Sequence, residues 1–341
     1  MTDPLPDDQR LKDISPKAYE HPADRAATAA LQSIPMLDVV VRKLIEYGYE
    51  RALRQVFLAG SVKLGSEQLP EAWAAHRAAC ARLDLADVPD LWLTQFPITN
   101  AAAIGSGRPM VLLNSKTVEL LDEEELRFVV GHELGHAVSG HAVYTTMLMR
   151  LLNVSGAWAF VPFGMLGLRA VVAALYEWQR KAELSGDRAG LLATQDPAAA
   201  LRTQMKLAGG GHLEDLDITA FRAQGDEYLN TPDVRDSVLK LLLLEASSHP
   251  FWVSRAAELQ RWVDDGSYTR ILAGDYPRRE DDGNTSMRQD VKDASDHYSS
   301  AFARSQDGLA SLLKDLGGGV AAGAAGLRDW ATGLFTPRSG N

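Results

Sequence analysis

Three residues within one five-residue stretch, His132, Glu133 and His136, constrain this chain more than any other feature. The stretch is helical by pattern. Asp122 is placed to cap a helix, with Glu125 three residues on in the capping-box position and Glu123 and Glu124 suited to the positive end of the helix dipole. Apolar residues then recur at Leu126, Val129, Val130, Leu134, Ala137 and Val138 with helical spacing. On a helix, residues four apart share a face, so His132 and His136 can direct two imidazoles at one metal ion. Glu133, beside the first of them, can reach a water bound there. Without a further ligand, the same residues describe a helix with two ordinary histidines. Gly131 and Gly135 each cost such a helix roughly 1 kcal/mol relative to alanine. Their compensation is expected from close approach of another backbone or of the metal site.

A tetrahedral site with an open position needs a third protein ligand. Glu183 and Asp187 are four apart in a second helical stretch and so share a face. Glu183 can complete a His-His-Glu set. Asp187 can accept the free ring N–H of a ligand histidine, which fixes its tautomer.

In combination, these motifs resemble the gluzincin metallopeptidases, in particular the HtpX and CAAX prenyl endopeptidase relatives (family M48). Three further stretches are similar to that family: Asn100 to Gly105, the acidic run Asp122 to Leu126, and His249-Pro250 followed by Arg255. The resemblance covers residues from about 90 to about 275. Gly186 departs from the alanine usual before the aspartate. The resemblance implies a zinc-dependent endopeptidase with one Zn²⁺ on His132, His136 and Glu183, and Glu133 as general base. It assigns oxyanion stabilisation to His249, with Arg255 nearby and Asn100 contributing from its strand. It also implies an α+β, predominantly helical fold: a zincin-like core with a small antiparallel sheet beside the zinc helix, and helical extensions at both ends. Peptide or unfolded protein is the expected substrate, bound along Asn100–Ile104, where small side chains leave a strand edge uncrowded. A zinc-binding scaffold that acts as an adaptor without catalysis is the alternative, as is a zinc hydrolase of non-peptide substrates.

Composition bounds the rest. A net charge of −10 without a basic run argues against nucleic acid. The acidic, proline-containing start lacks the features of a secretory signal, and Cys80 is the only cysteine, so the cytoplasm is the expected location. Residues 151–168 carry no charge, and an apolar run continues to Tyr176, but interspersed Asn, Ser, Gly and Pro residues make a poor membrane span. A helical hairpin joining the two ligand helices is expected there. Peripheral membrane contact through 151–176 or the C-terminal tail is the second reading.

The expected organisation is a helical N-terminal extension (1–87), a metallopeptidase core (88–275), and a linker with a helical tail (276–341). Residues 1 to about 30 are expected to meander over the surface. Helices are expected over parts of 35–83, at 194–206, 215–223 and 232–247, and from Ala256 towards Gly266. His141, five residues past His136, is expected to point away from the metal, and His21, His76, His212 and His297 to lie on the surface.

Overall fold

The computed structural model describes residues 10–32, 49–95, 100–105, 108–154, 164–211, 215–230 and 252–284. The fold is α+β and predominantly helical. Its helices are α1 (Pro22–Gln32), α2 (Tyr49–Gly60), α3 (Pro70–Arg82), α4 (Ser115–Leu120), α5 (Glu123–Val138), α6 (His141–Val154), α7 (Gly164–Thr194), α8 (Pro197–Gly209), α9 (Ile218–Asn230), α10 (Trp252–Asp264) and α11 (Ser267–Leu272).

The central element is α5. Asp122 caps it by accepting from the Glu125 backbone N–H at 2.9 Å, while the Glu125 side chain accepts from the Asp122 N–H at 2.9 Å. Glu125 is wholly buried, and its charge is met by Lys206 of α8 at 2.6 Å. Every residue from Glu125 to His136 is buried, so this helix has no solvent face over that length. Its most extensive partner is α7. Gly131 and Gly135 permit that contact: a Cβ on Gly131 would overlap the Cβ of Ala193, and one on Gly135 the Cβ of Ala189. The reverse holds on α7, where a Cβ on Gly190 would stand 2.6 Å from the Phe128 carbonyl oxygen. Small residues on both helices therefore bring the backbones together, the close approach expected from the two glycines.

A four-stranded sheet lies beside α5, with strands β1 (Val62–Lys63), β2 (Asp90–Thr94), β3 (Ala101–Ile104) and β4 (Met110–Asn114) in the order β1-β2-β4-β3. The expected all-antiparallel sheet needs correction in one pairing. β3 and β4 form an antiparallel hairpin, but β2 pairs with β4 in parallel, Leu91 opposite Val111. The cause is the position of β3: it occupies the outer place, so the chain leaving β2 passes over one strand position and returns through β3 before entering β4. β4 is buried from Met110 to Leu113, as a strand covered on both faces should be.

The N-terminal segment is not a surface meander. Leu11, Ile14 and Tyr19 belong to the same buried cluster as Ala79, Leu91, Val130, Leu134, Leu192 and Trp262. In α1, Ala27 and Leu31 are also buried, and the helix packs on α7. The segment expected to be a linker clasps this one. Ile14 bridges Arg278, the Ser15 N–H donates to the Pro277 carbonyl at 3.0 Å, and Arg279 pairs with Asp13 at 3.1 Å.

Helices α8, α9 and α10 occupy the regions where the 3.6-residue pattern placed them, whereas the described part of 35–83, expected to be helical, holds α2 and α3 with the short strand β1 between them. Of the stretch 151–176, residues 151–154 belong to α6 and 164–176 to α7, while the turn of the expected hairpin falls outside the described residues. Among the described residues, no helix is long and apolar enough to cross a membrane. The expected helix at 232–247, the C-terminal tail, and His212, His249 and His297 lie outside the described residues.

Candidate metal centre

His132 and His136 project from one face of α5, one turn apart, with their Nε2 atoms 3.0 Å from each other. The middle of α7 passes directly opposite. One oxygen of Glu183 lies 3.4 Å from His132 Nε2 and the other 3.7 Å from His136 Nε2. Among the described residues, these three side chains form a group whose potential ligand atoms all lie within 4.8 Å of one another, and all three are buried. Gly186 allows the approach, because a Cβ there would meet the His132 ring at 2.6 Å.

The surroundings fix both partners. Asp187, one turn beyond Glu183, faces His132 Nδ1 at 3.1 Å, which leaves Nε2 as the nitrogen turned towards Glu183. Arg255 enters from α10 and spans the two acids. Its Nε and Nη2 donate to Asp187 at 2.8 and 2.5 Å, and its Nη1 lies 2.8 Å from Glu183. The guanidinium also sits over the Trp252 ring, 4.2 Å from its centroid. The family resemblance placed Arg255 near the site without a partner; here it spans both α7 carboxylates.

The electrostatics suit a divalent cation. Glu133, Glu183 and Asp187 are all buried, and among the described residues Arg255 and the His132 ring face the two acids of α7. Carboxylates gathered in a desolvated site are costly unless cations join them. Burial pushes the Glu133 carboxyl up to about 7, against the opposing pull of the His132 charge. Burial also disfavours protonation of His132, but the hydrogen bonds it donates to Asp187 and Glu183 outweigh it and raise that ring to about 10. His136 moves the other way, well below the ordinary histidine value, through burial and the charge on His132. Two imidazole nitrogens and a carboxylate oxygen turned towards a common point are a donor set suited to zinc.

A cavity of about 230 Å³ opens beside this group. Glu133 lines it together with the small residues Ala101, Ala102 and Ala103 of β3, and the Ala103 backbone hydrogen-bonds the Glu133 carboxylate. Asn100 also lines the cavity and is exposed; its side-chain oxygen accepts from the Ala101 N–H at 2.9 Å.

Pattern reasoning misplaced two histidines and missed one acid. His141 is not on the ligand helix, because α5 ends at Val138 and Gly140 turns the chain at φ +74°. His141 therefore swings back to place its Nδ1 3.0 Å from His136 Nδ1. Beyond it, Asp24 of α1 lies 3.2 Å from His141 Nε2. Gly140 was the available signal for His141, since a glycine closing a helix ends the validity of a helical-wheel angle. Nothing local marked Asp24. His76 is buried in α3 rather than on the surface, with Nε2 2.9 Å from the Pro89 carbonyl oxygen.

The chain is similar to known metallopeptidases. The chain is 32% identical over 270 residues to the plastoglobule-localized metallopeptidase 48 of Arabidopsis thaliana, covering 77% of each chain. It is 27% identical over 180 residues to a protease HtpX homolog of Tropheryma whipplei, covering 45% of this chain and 62% of that protein. Similarity to the human mitochondrial metalloendopeptidase OMA1 is 33% over 123 residues, 31% of this chain and 23% of the relative. No solved structure matches the chain. The sequence profile of peptidase family M48 matches residues 74–263, which include α5, the part of α7 that carries Glu183 and Asp187, and Arg255. On that match the chain belongs to peptidase family M48 and is a zinc metallopeptidase.

Proposed function

We propose that His132 Nε2, His136 Nε2 and a Glu183 oxygen hold one Zn²⁺ per chain, and that Glu133 is the general base of an endopeptidase. When bound, zinc supplies Lewis acidity and makes water a nucleophile near neutral pH. Glu133 takes the proton of the attacking water and returns it to the leaving amine. Asp187 and Arg255 act as positioning residues, one through the His132 ring and the other through the two α7 carboxylates. Asn100 and His249 are proposed as donors to the oxyanion; removing such a donor costs about 2.7–4 kcal/mol of barrier.

The substrate is proposed to be an extended peptide lying along β3. That strand is at the edge of the sheet, its alanines line the cavity, and Ala103 touches the general base through its backbone. An edge strand binds extended chains by main-chain hydrogen bonds, which favours unfolded segments over compact domains. The proposed location is the cytoplasm. Attachment to a membrane surface is the second reading, favoured by the plastoglobule location in the name of the Arabidopsis relative.

The observation that carries the catalytic reading is the position of Glu133 in the same cavity as all three ligands. Cleavage of an unstructured peptide by wild type and by Glu133→Gln, with zinc content measured in both, tests it. Activity is expected to fall at least 100-fold in the variant while one zinc per chain is retained. Equal cleavage by both proteins would remove Glu133 from the mechanism. Zinc bound without cleavage in wild type would leave the scaffold reading.

A further inference from the structure

We propose that Asp24 and His141 form a relay that fixes the tautomer and orientation of His136, so that α1 completes the metal centre from outside the family-matched region. The inference rests on the reading that His136 is a metal ligand through Nε2.

The hydrogen-bonding roles follow one from another. A ligating Nε2 carries no proton, so the neutral His136 ring bears its proton on Nδ1. That atom lies 3.0 Å from His141 Nδ1, which must then accept. The proton of His141 is therefore on Nε2, 3.2 Å from Asp24 Oδ2, a carboxylate that can only accept. Each of the two contacts then has one donor and one acceptor. The reverse arrangement, with a proton on His141 Nδ1 donated to His136, would force the His136 proton onto Nε2 and block the ligand atom. Asp24 thus selects the ligating tautomer from two shells away.

The relay is built rather than incidental. Asp24, His141 and His136 are 1%, 2% and 8% exposed. Asp24 accepts from Ser185 Oγ through one oxygen and from Thr28 Oγ1 at 3.3 Å through the other. Thr28 in turn accepts from Trp178 Nε1 at 2.8 Å, and the His141 ring meets Trp178 edge-on at 5.3 Å. Ser185 sits between Glu183 and Asp187, so the helix that carries one ligand also clamps the relay. The two ligand imidazoles are then oriented in parallel ways. His132 faces Asp187 directly at 3.1 Å, and His136 reaches its carboxylate through a second imidazole. Partners of this kind orient a ligand ring and raise its basicity. The family match begins at residue 74, so the carboxylate serving His136 comes from a segment that the match does not include.

Two measurements on the full chain test the relay. In zinc-loaded wild type with ¹⁵N-labelled histidine, long-range ¹H–¹⁵N spectra are expected to place the His141 proton on Nε2 and the His136 proton on Nδ1. A proton on His141 Nδ1 would overturn the proposal, and this readout needs no variant to fold. Zinc affinity by chelator competition is then compared among wild type, Asp24→Ala, His141→Phe and the double variant. Each single change is expected to weaken binding about 10-fold or more. The double variant should bind no more weakly than His141→Phe alone, because Asp24 acts through His141. Unchanged affinity in Asp24→Ala, or losses that multiply in the double variant, would overturn the relay while leaving the metal centre intact. A wild type that binds no zinc would instead sink the metal-centre reading itself.

Discussion

Arg255 bears the heaviest single-residue demand in this protein, because its guanidinium spans the two buried carboxylates of α7. Removing one partner of such a buried network costs about 3–5 kcal/mol. Arg255→Met is therefore expected to lower the melting temperature markedly in chelator-treated protein. Arg255→Lys should recover little, since an ammonium cannot span Asp187 and Glu183 as the planar guanidinium does. Thermal melts of the three proteins decide this. His76 sets a different dependence, on pH. Burial holds its pKa at about 4, below the 6.5 of an exposed ring, although its hydrogen bond to Pro89 pulls the other way. Below pH 6.5 the unfolded chain takes up a proton that the folded chain refuses, so stability falls as pH drops from 6.5 towards 4. The shift amounts to ~3 kcal/mol at most. Urea midpoints at pH 7 and pH 4.5 should differ less in His76→Leu than in wild type. Sequence spacing identified His132, His136, Glu183 and Asp187 because each pair repeats at one helical turn. It gave no partner for Arg255 and no burial for His76, since both depend on what lies across the core.

The crossing of α5 and α7 is the element on which the site depends. Side chains at 131 and 135 would hold the helices apart and carry Glu183 away from the histidines, so the glycines exchange local helix preference for proximity. Gly135→Ala shows which effect is larger. Helix preference favours alanine by about 1 kcal/mol, but overlap with the Ala189 Cβ should cost about 1–3 kcal/mol. A net lower melting temperature is expected, with recovery when Ala189→Gly is added. A variant more stable than wild type would mean that the helices can separate without penalty. The start and period of α5 were legible in the sequence because capping and periodicity are local. The parallel β2–β4 pairing was not, since strand order depends on which strand takes the outer place and no nearby residue encodes that choice.

At the scale of the whole molecule, residues 10–32 act as part of the core rather than as an appendage. Leu11, Ile14, Tyr19, Ala27 and Leu31 are buried, and a large buried apolar side chain is worth about 1.5–3 kcal/mol. Their sum approaches the whole stability of an ordinary domain, about 5–15 kcal/mol. Deleting residues 1–32 is therefore expected to abolish a cooperative thermal transition, even though the family-matched stretch 74–263 remains complete. A cooperative melt in the truncated chain would refute that. The sequence by itself determined which residues are proposed as donors and base, the capped helix that presents them and the second helix that answers it, because each is written in contacts three or four residues apart. The tertiary structure alone decided that Asp24 stands behind His141, that His141 turns back to His136, and that Arg255 spans two acids. Those contacts join residues 68 to 117 positions apart, or pass through a glycine turn, and contacts of that kind leave no periodic trace in the chain.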